Sequence, residues 1–136
     1  MTTDEAREFV ANNHRAVLVT RTSDDGVQTS PVVVGIDGEG KAVISSRETA
    51  YKVRNLRRRP AATLCIMNDQ FYGPWIQVDG RAEVVSMPEA LDGLIDYYRR
   101  ISGEHPDWDE YRRAMQEERR VLVRVSFEKV GPDKFG

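Results

Sequence analysis

The chain has 136 residues, 40% of them hydrophobic and 31% charged, with a formal net charge of −2. That length suits one domain with one core, residues 1–136, and the composition is that of an ordinary globular protein rather than a disordered or fibrous one. The acidic balance argues against a nucleic-acid partner. No apolar run approaches the length of a membrane span, and the acidic start MTTDEAREFV lacks a signal peptide's basic and apolar regions. The expectation is cytoplasmic residence with no membrane partner.

In chain order, Thr2 or Thr3 can cap a short amphipathic helix with Ala6, Phe9 and Val10 on one side. RAVLVTRT and VQTSPVVVGID are β-rich runs around Asp24-Asp25-Gly26, a hairpin turn signal. Asp37-Gly38-Glu39-Gly40 makes a second hairpin into KAVISS, and a short Thr-capped helix leads to the strand AATLCIMN. That strand holds Cys65, the single cysteine, so no internal disulfide can form and no thiolate metal cluster is expected; it reads as a buried, inert thiol.

A loop rich in turn residues follows, and then WIQVDGRAEVVS. Here Ile76, Val78, Gly80, Ala82 and Val84 alternate with Trp75, Gln77, Asp79, Arg81 and Glu83, the period of a half-buried strand. Pro88 opens a helix with Leu91, Leu94, Ile95, Tyr98 and Ile101 at helical spacing, broken by Gly103-Glu104-His105-Pro106. A second helix carries Trp108, Tyr111 and Met115 on one face, read as core. RRVLVRVSFEKV closes the domain with Val121, Val123, Val125 and Phe127 inward, and the tail GPDKFG is expected to be loose. Six antiparallel strands with helices inserted at two points predict a mainly β, small barrel whose closure removes exposed edges.

The most informative stretch lies between Ser45 and Pro60. It packs Arg47, Lys52, Arg54, Arg57, Arg58 and Arg59 into a strand exit and a short helix, in a chain that is acidic overall. Hydroxyls (Ser45, Ser46), a lysine point charge, arginine forks and unpaired first-turn amides are the donors a phosphate needs. A solvated basic helix face is the alternative.

Other chemistries are demoted. His14 and His105 are far apart and lack carboxylates at helical spacing, so no metal site is expected. No glycine-rich phosphate loop and no nucleophile elbow occurs. What remains suits a cofactor that performs the reaction while the protein positions it, and no catalytic side chain is assigned. Trp75 and Gln77 share a strand face off the core, where they can stack on a flat ring and hydrogen-bond its edge, or equally form a surface or dimer contact. Phe71, Tyr72 and Trp75 form an apolar cluster of the kind that marks an interface between copies.

Over nearly its whole length the chain resembles the pyridoxamine-phosphate-oxidase-like split-barrel family, whose members are homodimers with flavin-type cofactors at the subunit interface. The carrying pieces are Ser45-Ser46 followed by Lys52 and Asn55 in TAYKVRNLRRRP, and WIQVDGRAEV with Gln77 and Gly80. The stretch YYRRISGEHPDWDEYRRAMQEERRVLV is similar to the actinobacterial branch that uses the deazaflavin coenzyme F420 instead of FMN. True pyridoxamine-phosphate oxidases end in a Trp- and Arg-containing segment where this chain reads VGPDKFG, so vitamin B6 oxidation is not the expected activity. Ala50 stands where the family often has an arginine, a charge that Arg47 or Arg54 can supply.

The resemblance implies a split β-barrel homodimer. It puts Lys52 on the cofactor phosphate with Ser45, Ser46 and Arg47 nearby, and Ser30, Pro31 and Val32 along the ring. Trp75 and Gln77 would approach from the other subunit. Coenzyme F420 also has an anionic oligoglutamate tail, which would give Arg54, Arg57 and Arg58 a purpose that FMN does not. The expected function is reduction of an electron-poor small organic acceptor by hydride from reduced F420. An FMN oxidoreductase of the same fold, or a non-catalytic F420 carrier, are the alternatives.

Overall fold

The structure, a computed structural model, describes residues 1–135. The first helix, α1 (Thr3–Asn12), starts at a capping box: the Glu5 amide donates to Thr2 Oγ1 at 3.1 Å and the Thr2 amide to Glu5 Oε1 at 2.9 Å. Its apolar side puts Ala6 and Val10 in the core. Strands β1 (Arg15–Arg21) and β2 (Val27–Val33) form the first hairpin, and β3 (Gly35–Ile36) and β4 (Ala42–Arg47) the second. The basic helix is α2 (Tyr51–Arg58), followed by β5 (Ala61–Met67) and the long β6 (Pro74–Ser86). Helices α3 (Leu91–Ser102) and α4 (Trp108–Glu117) precede β7 (Arg120–Val125) and β8 (Lys129–Phe135).

The strands form one antiparallel system in the order β2-β1-β5-β6-β7-β4-β3, with β8 also on β6. One half of β6 pairs with β5 and β8, and the other half, from Ala82 on, pairs with β7. This strand therefore belongs to both halves of a split β-barrel with flanking helices.

Two expectations about the strands are corrected. Eight strands stand where six were expected, because VQTSPVVVGID divides at Val34 and β8 is added. Val34 is fully buried and its amide donates to the His14 carbonyl at 2.8 Å, which turns the chain from one half of the barrel to the other. Pairing with β6 covers β8 and its partner edge, so the tail is strand through Phe135 rather than loose; Gly136 lies outside the described residues. A bare edge on β6 would leave unpaired backbone groups, and β8 removes that cost. The helix after Pro88 likewise begins later than read, at Leu91 behind a turn.

The main core fills the barrel with Leu18, Ile44, Leu64, Ile66, Ile76 and Val123, closed by Val10 of α1 and Val53 and Leu56 of α2. A second cluster lies outside the barrel wall, where Val43 and Leu122 meet Leu94, Ile95, Tyr111 and Met115 of α3 and α4. Strands β4 and β7 are thus buried on both faces, and Tyr111 and Met115 are core as read. Among the described residues no helix is long and apolar enough to cross a membrane.

Candidate functional site

Strand parity builds the site. Along β4, Ile44 and Ser46 face the barrel interior, so Ser45 and Arg47 face out. The β4–β7 ladder sets Arg47 opposite Arg120, and α2 begins four residues after β4 ends. Between this corner and β2 lies a cleft of about 400 Å³. Ser45, Ser46, Arg47 and Lys52 line it, as do Pro31 and Val32 of β2, together with Thr49, Ala50 and Arg120.

The expected threonine cap of α2 is absent. Ala50 is the N-cap, with no side-chain hydrogen bond to the first turn. The amides of Val53 and Arg54 both turn to the Ala50 carbonyl at 3.1 Å, and those of Tyr51 and Lys52 find no acceptor among the described residues. Two unpaired donors therefore face outward at the positive end of the helix, and Thr49 keeps its hydroxyl for the cleft.

The cations divide sharply by partner. Arg57 donates to Glu48 Oε2 at 2.9 Å and Ser86 Oγ at 3.1 Å, Arg58 to Asn55 Oδ1 at 2.6 Å, and Arg59 pairs with Asp25 at 2.7 Å. Arg47 and Arg120 both hold Glu118. Lys52, half-buried, and Arg54, exposed, have no carboxylate partner among the described residues. Lys52 alone is both unpaired and in the cleft. Of the α2 arginines expected to act together, none lines the cleft: Arg54, Arg57 and Arg58 stand at i, i+3 and i+4 on one side of the helix, away from Lys52.

Asn55 anchors the helix that carries Lys52. It is 5% exposed, and its Nδ2 donates to Thr20 Oγ1 and Gln28 Oε1, each at 3.1 Å. Gln28 in turn donates to Ser30 Oγ at 3.1 Å. This network ties α2 to β1 and β2, and it uses up Ser30, which is 6% exposed and turned inward. Ser30 therefore does not line the cleft as expected, while its neighbours Pro31 and Val32 do. Behind the cleft wall, Tyr97 donates its hydroxyl to the Val33 carbonyl at 2.8 Å. Burial pushes that phenol above its ordinary range, against the Ser45 backbone and Arg120, so it stays protonated.

Trp75 and Gln77 do not reach the cleft within one chain. They lie on the outer face of β6, where Gln77 donates to Asp79 Oδ2 at 3.1 Å. Cys65 sits opposite Gln77 on the same face, half-buried rather than buried, because Leu64 and Ile66 take the inward positions. Burial raises its thiol pKa, which keeps it unreactive. His14 bonds the Val34 carbonyl through Nδ1 at 2.8 Å, and His105 packs among Tyr98, Trp108 and Tyr111.

Arg120 and Thr49 were not found by reading the sequence. Arg120 belongs to the site only through the β4–β7 register, for which no local signal exists. The donors gathered here are hydroxyls, free amides, a lysine and two arginine forks, a set that fits a phosphate group.

Several solved proteins share this fold. Conserved hypothetical protein Rv2991 from Mycobacterium tuberculosis superposes with a TM-score of 0.77 at 23% identity, over 96% of this chain and 82% of that one. A protein described as an F420 reductase gives 0.68 at 21% identity, over 92% and 94%. A heme binding protein from Mycobacterium smegmatis gives 0.71 at 19%, over 97% of this chain and 56% of the other. These likenesses establish the fold. Residues 2–132 match the pyridoxamine 5'-phosphate oxidase family, so the chain belongs to that family.

Proposed function

We propose that the protein is an oxidoreductase that uses reduced coenzyme F420 to reduce an electron-poor small organic molecule. The observation that carries this reading is the β4–α2 corner: a half-buried, unpaired Lys52 beside free helix amides, Ser45, Thr49 and the paired Arg47 and Arg120. When bound, the deazaflavin supplies the hydride. The chain's own residues bind and orient. Lys52 and the α2 amides hold the phosphate, and Pro31 and Val32 offer an apolar edge for the ring. Family membership and the fold shared with an F420 reductase support the same kind of activity.

The functional unit in this reading is a homodimer. The outer face of β1, β2 and β5 presents Val17, Val19, Pro31, Val33, Cys65 and Met67, next to Trp75 on β6. Val33 is 50% exposed, on a face that a second copy would cover and from which Trp75 and Gln77 would reach its cleft. The reading includes cytoplasmic residence and no nucleic-acid partner.

Titration of the purified protein with F420 and with FMN tests it, followed by turnover of reduced F420 with a panel of electron-poor acceptors. Tighter binding of F420 with turnover is the expected result. Tighter binding of FMN would transfer the corner to FMN, and tight F420 binding with no turnover would make the protein a carrier.

A further inference from the structure

Strand β3 is only Gly35–Ile36, and its ladder with β4 stops at Gly35 opposite Val43. From Ile44 to Arg47, β4 has β7 on one edge and, among the described residues, no strand on the other. The cleft lies at that bare edge. Ser45, Ser46 and Arg47 form one wall, and Pro31 and Val32 of β2 form the other. Strands β2 and β4 are not neighbours in the sheet, so no backbone ladder sets the distance between the two walls.

Tyr97 of α3 spans the gap from behind. Its hydroxyl donates to the Val33 carbonyl at 2.8 Å, and the same oxygen lies against the Ser45 backbone. Val33 adjoins the wall residue Val32, and Ser45 is a wall residue itself, so the phenol touches the backbone of both sides. The chain just after Val33 is also pinned. The Val34 amide donates to the His14 carbonyl at 2.8 Å, and His14 Nδ1 bonds the Val34 carbonyl at 2.8 Å. Gly35 lets α3 come close enough for this reach. A Cβ there would lie 3.1 Å from Ile101 Cδ1 and 3.8 Å from Tyr97 Cδ2, so one turn of α3 packs on a strand position that has no side chain.

We propose that Tyr97 is a positioning residue that fixes the width of the cleft. It holds the phosphate edge of β4 at the distance from β2 that a flavin-type cofactor needs between its phosphate and its ring. It acts through the Val33 and Ser45 backbones and touches no cofactor itself. This inference rests on the reading that the corner takes such a cofactor, and the probes below separate the two.

Tyr97→Phe removes the hydroxyl and keeps the ring. Wild type and variant are titrated with F420, with FMN and with inorganic phosphate. Inorganic phosphate needs only Lys52 and the α2 amides, so its affinity should stay within two-fold. The cofactor that wild type prefers should lose roughly five- to ten-fold, the worth of one hydrogen bond, because it must engage both walls at once. The absorbance of the bound ring should also move towards that of free cofactor. Amide hydrogen exchange supplies a second readout that needs no variant. The Ser45 amide in unliganded wild type should be protected although its strand edge is bare, and in Tyr97→Phe it should exchange about ten-fold faster.

A phenol that only docks α3 on the sheet would lower thermal stability and leave the ratio of cofactor to phosphate affinity unchanged, and that unchanged ratio overturns the proposal. Fast exchange of the Ser45 amide in wild type overturns it as well, even where Tyr97→Phe does not fold. If wild type binds FMN rather than F420, the deazaflavin reading falls, while selective loss of FMN affinity in Tyr97→Phe still supports the role of Tyr97.

Discussion

Arg47 and Arg120 stand opposite each other in the β4–β7 ladder and share one carboxylate oxygen, Glu118 Oε1, at 3.1 and 2.9 Å. Arg120 foremost, then Arg47, holds the Glu118 carboxyl below its usual range. Two forks thus face the cleft with one of their charges already answered. An arriving phosphate competes with Glu118 for both.

Glu118→Gln should therefore tighten anion binding, by about three-fold for a partly exposed pair worth ~0.5–1 kcal/mol. Equilibrium titration with inorganic phosphate and with cofactor measures it. Weaker binding in the variant would mean that Glu118 orients the arginines rather than competing for them.

Lys52 should dominate cofactor affinity. Removing an unpaired cation from a phosphate in a partly desolvated cleft costs about 2–4 kcal/mol, roughly thirty-fold or more in Kd. If Lys52→Ala binds within a factor of two of wild type, the anchor lies elsewhere.

The outer sheet face gives a test of assembly. Val17 stands between Pro31 and Cys65 at the middle of that face. Val17→Glu would bury a charge in the proposed interface, and sedimentation velocity should show a monomer with impaired cofactor binding. Wild type that sediments as a monomer at micromolar concentration with binding intact removes the dimer from the reading.

Gly80 has a packing reason. A Cβ there would lie 1.7 Å from the Ser126 carbonyl oxygen, a backbone atom fixed by the Ser126 amide bonding Arg81 O at 3.0 Å. Gly80→Ala should cost ~1–3 kcal/mol or more of stability in urea unfolding, the strand having to shift to admit it. Unchanged stability would show that β6 and the β7–β8 connection separate freely.

Tyr111 makes the fold sensitive to alkali. Burial foremost, with Tyr97 nearby, pushes its phenol up to about 12, and its hydroxyl donates to the Leu94 carbonyl at 2.9 Å. The folded state thus favours the protonated phenol more than the unfolded chain does, where the value is about 10. Its stabilisation is fully present below pH ~10 and lost as pH rises through the folded value. Phenolate absorbance should show one tyrosine titrating last, and Tyr111→Phe should remove it and flatten the stability loss across that window. An unchanged alkaline profile in the variant assigns the loss to another group.

Much of the fold was legible. Alternation along WIQVDGRAEVVS and RRVLVRVSFEKV put Ile76, Val78, Val121, Val123 and Val125 inward, because side-chain parity in a strand is decided by immediate neighbours. The Thr2 cap, the turns at Asp25 and Gly38, and the α3–α4 core stripe were readable for the same reason. Two errors are local, the absent threonine cap of α2 and the late start of α3; the others concern distant partners. Val34 ends β2 because it bonds His14, the tail becomes β8 because β6 has an edge to cover, and Cys65 is half-exposed because its outer face lacks a covering layer within the chain.

The site divides along the same line. Ser45, Ser46, Arg47 and Lys52 are close in sequence and share the cleft, so composition alone marked the corner. Which other residues join them was settled by long-range pairing. Pro31 and Val32 come from β2, and Arg120 arrives through the β4–β7 ladder. Arg57 and Arg59 are drawn off to Glu48 and Asp25, partners that only the folded chain brings within reach, and Arg58 bonds Asn55 one turn back on its own helix. Local sequence sets periodicity and caps because their energies come from residues a few positions apart. A binding cleft needs groups from separate strands held in register, and that register is a property of the packed sheet.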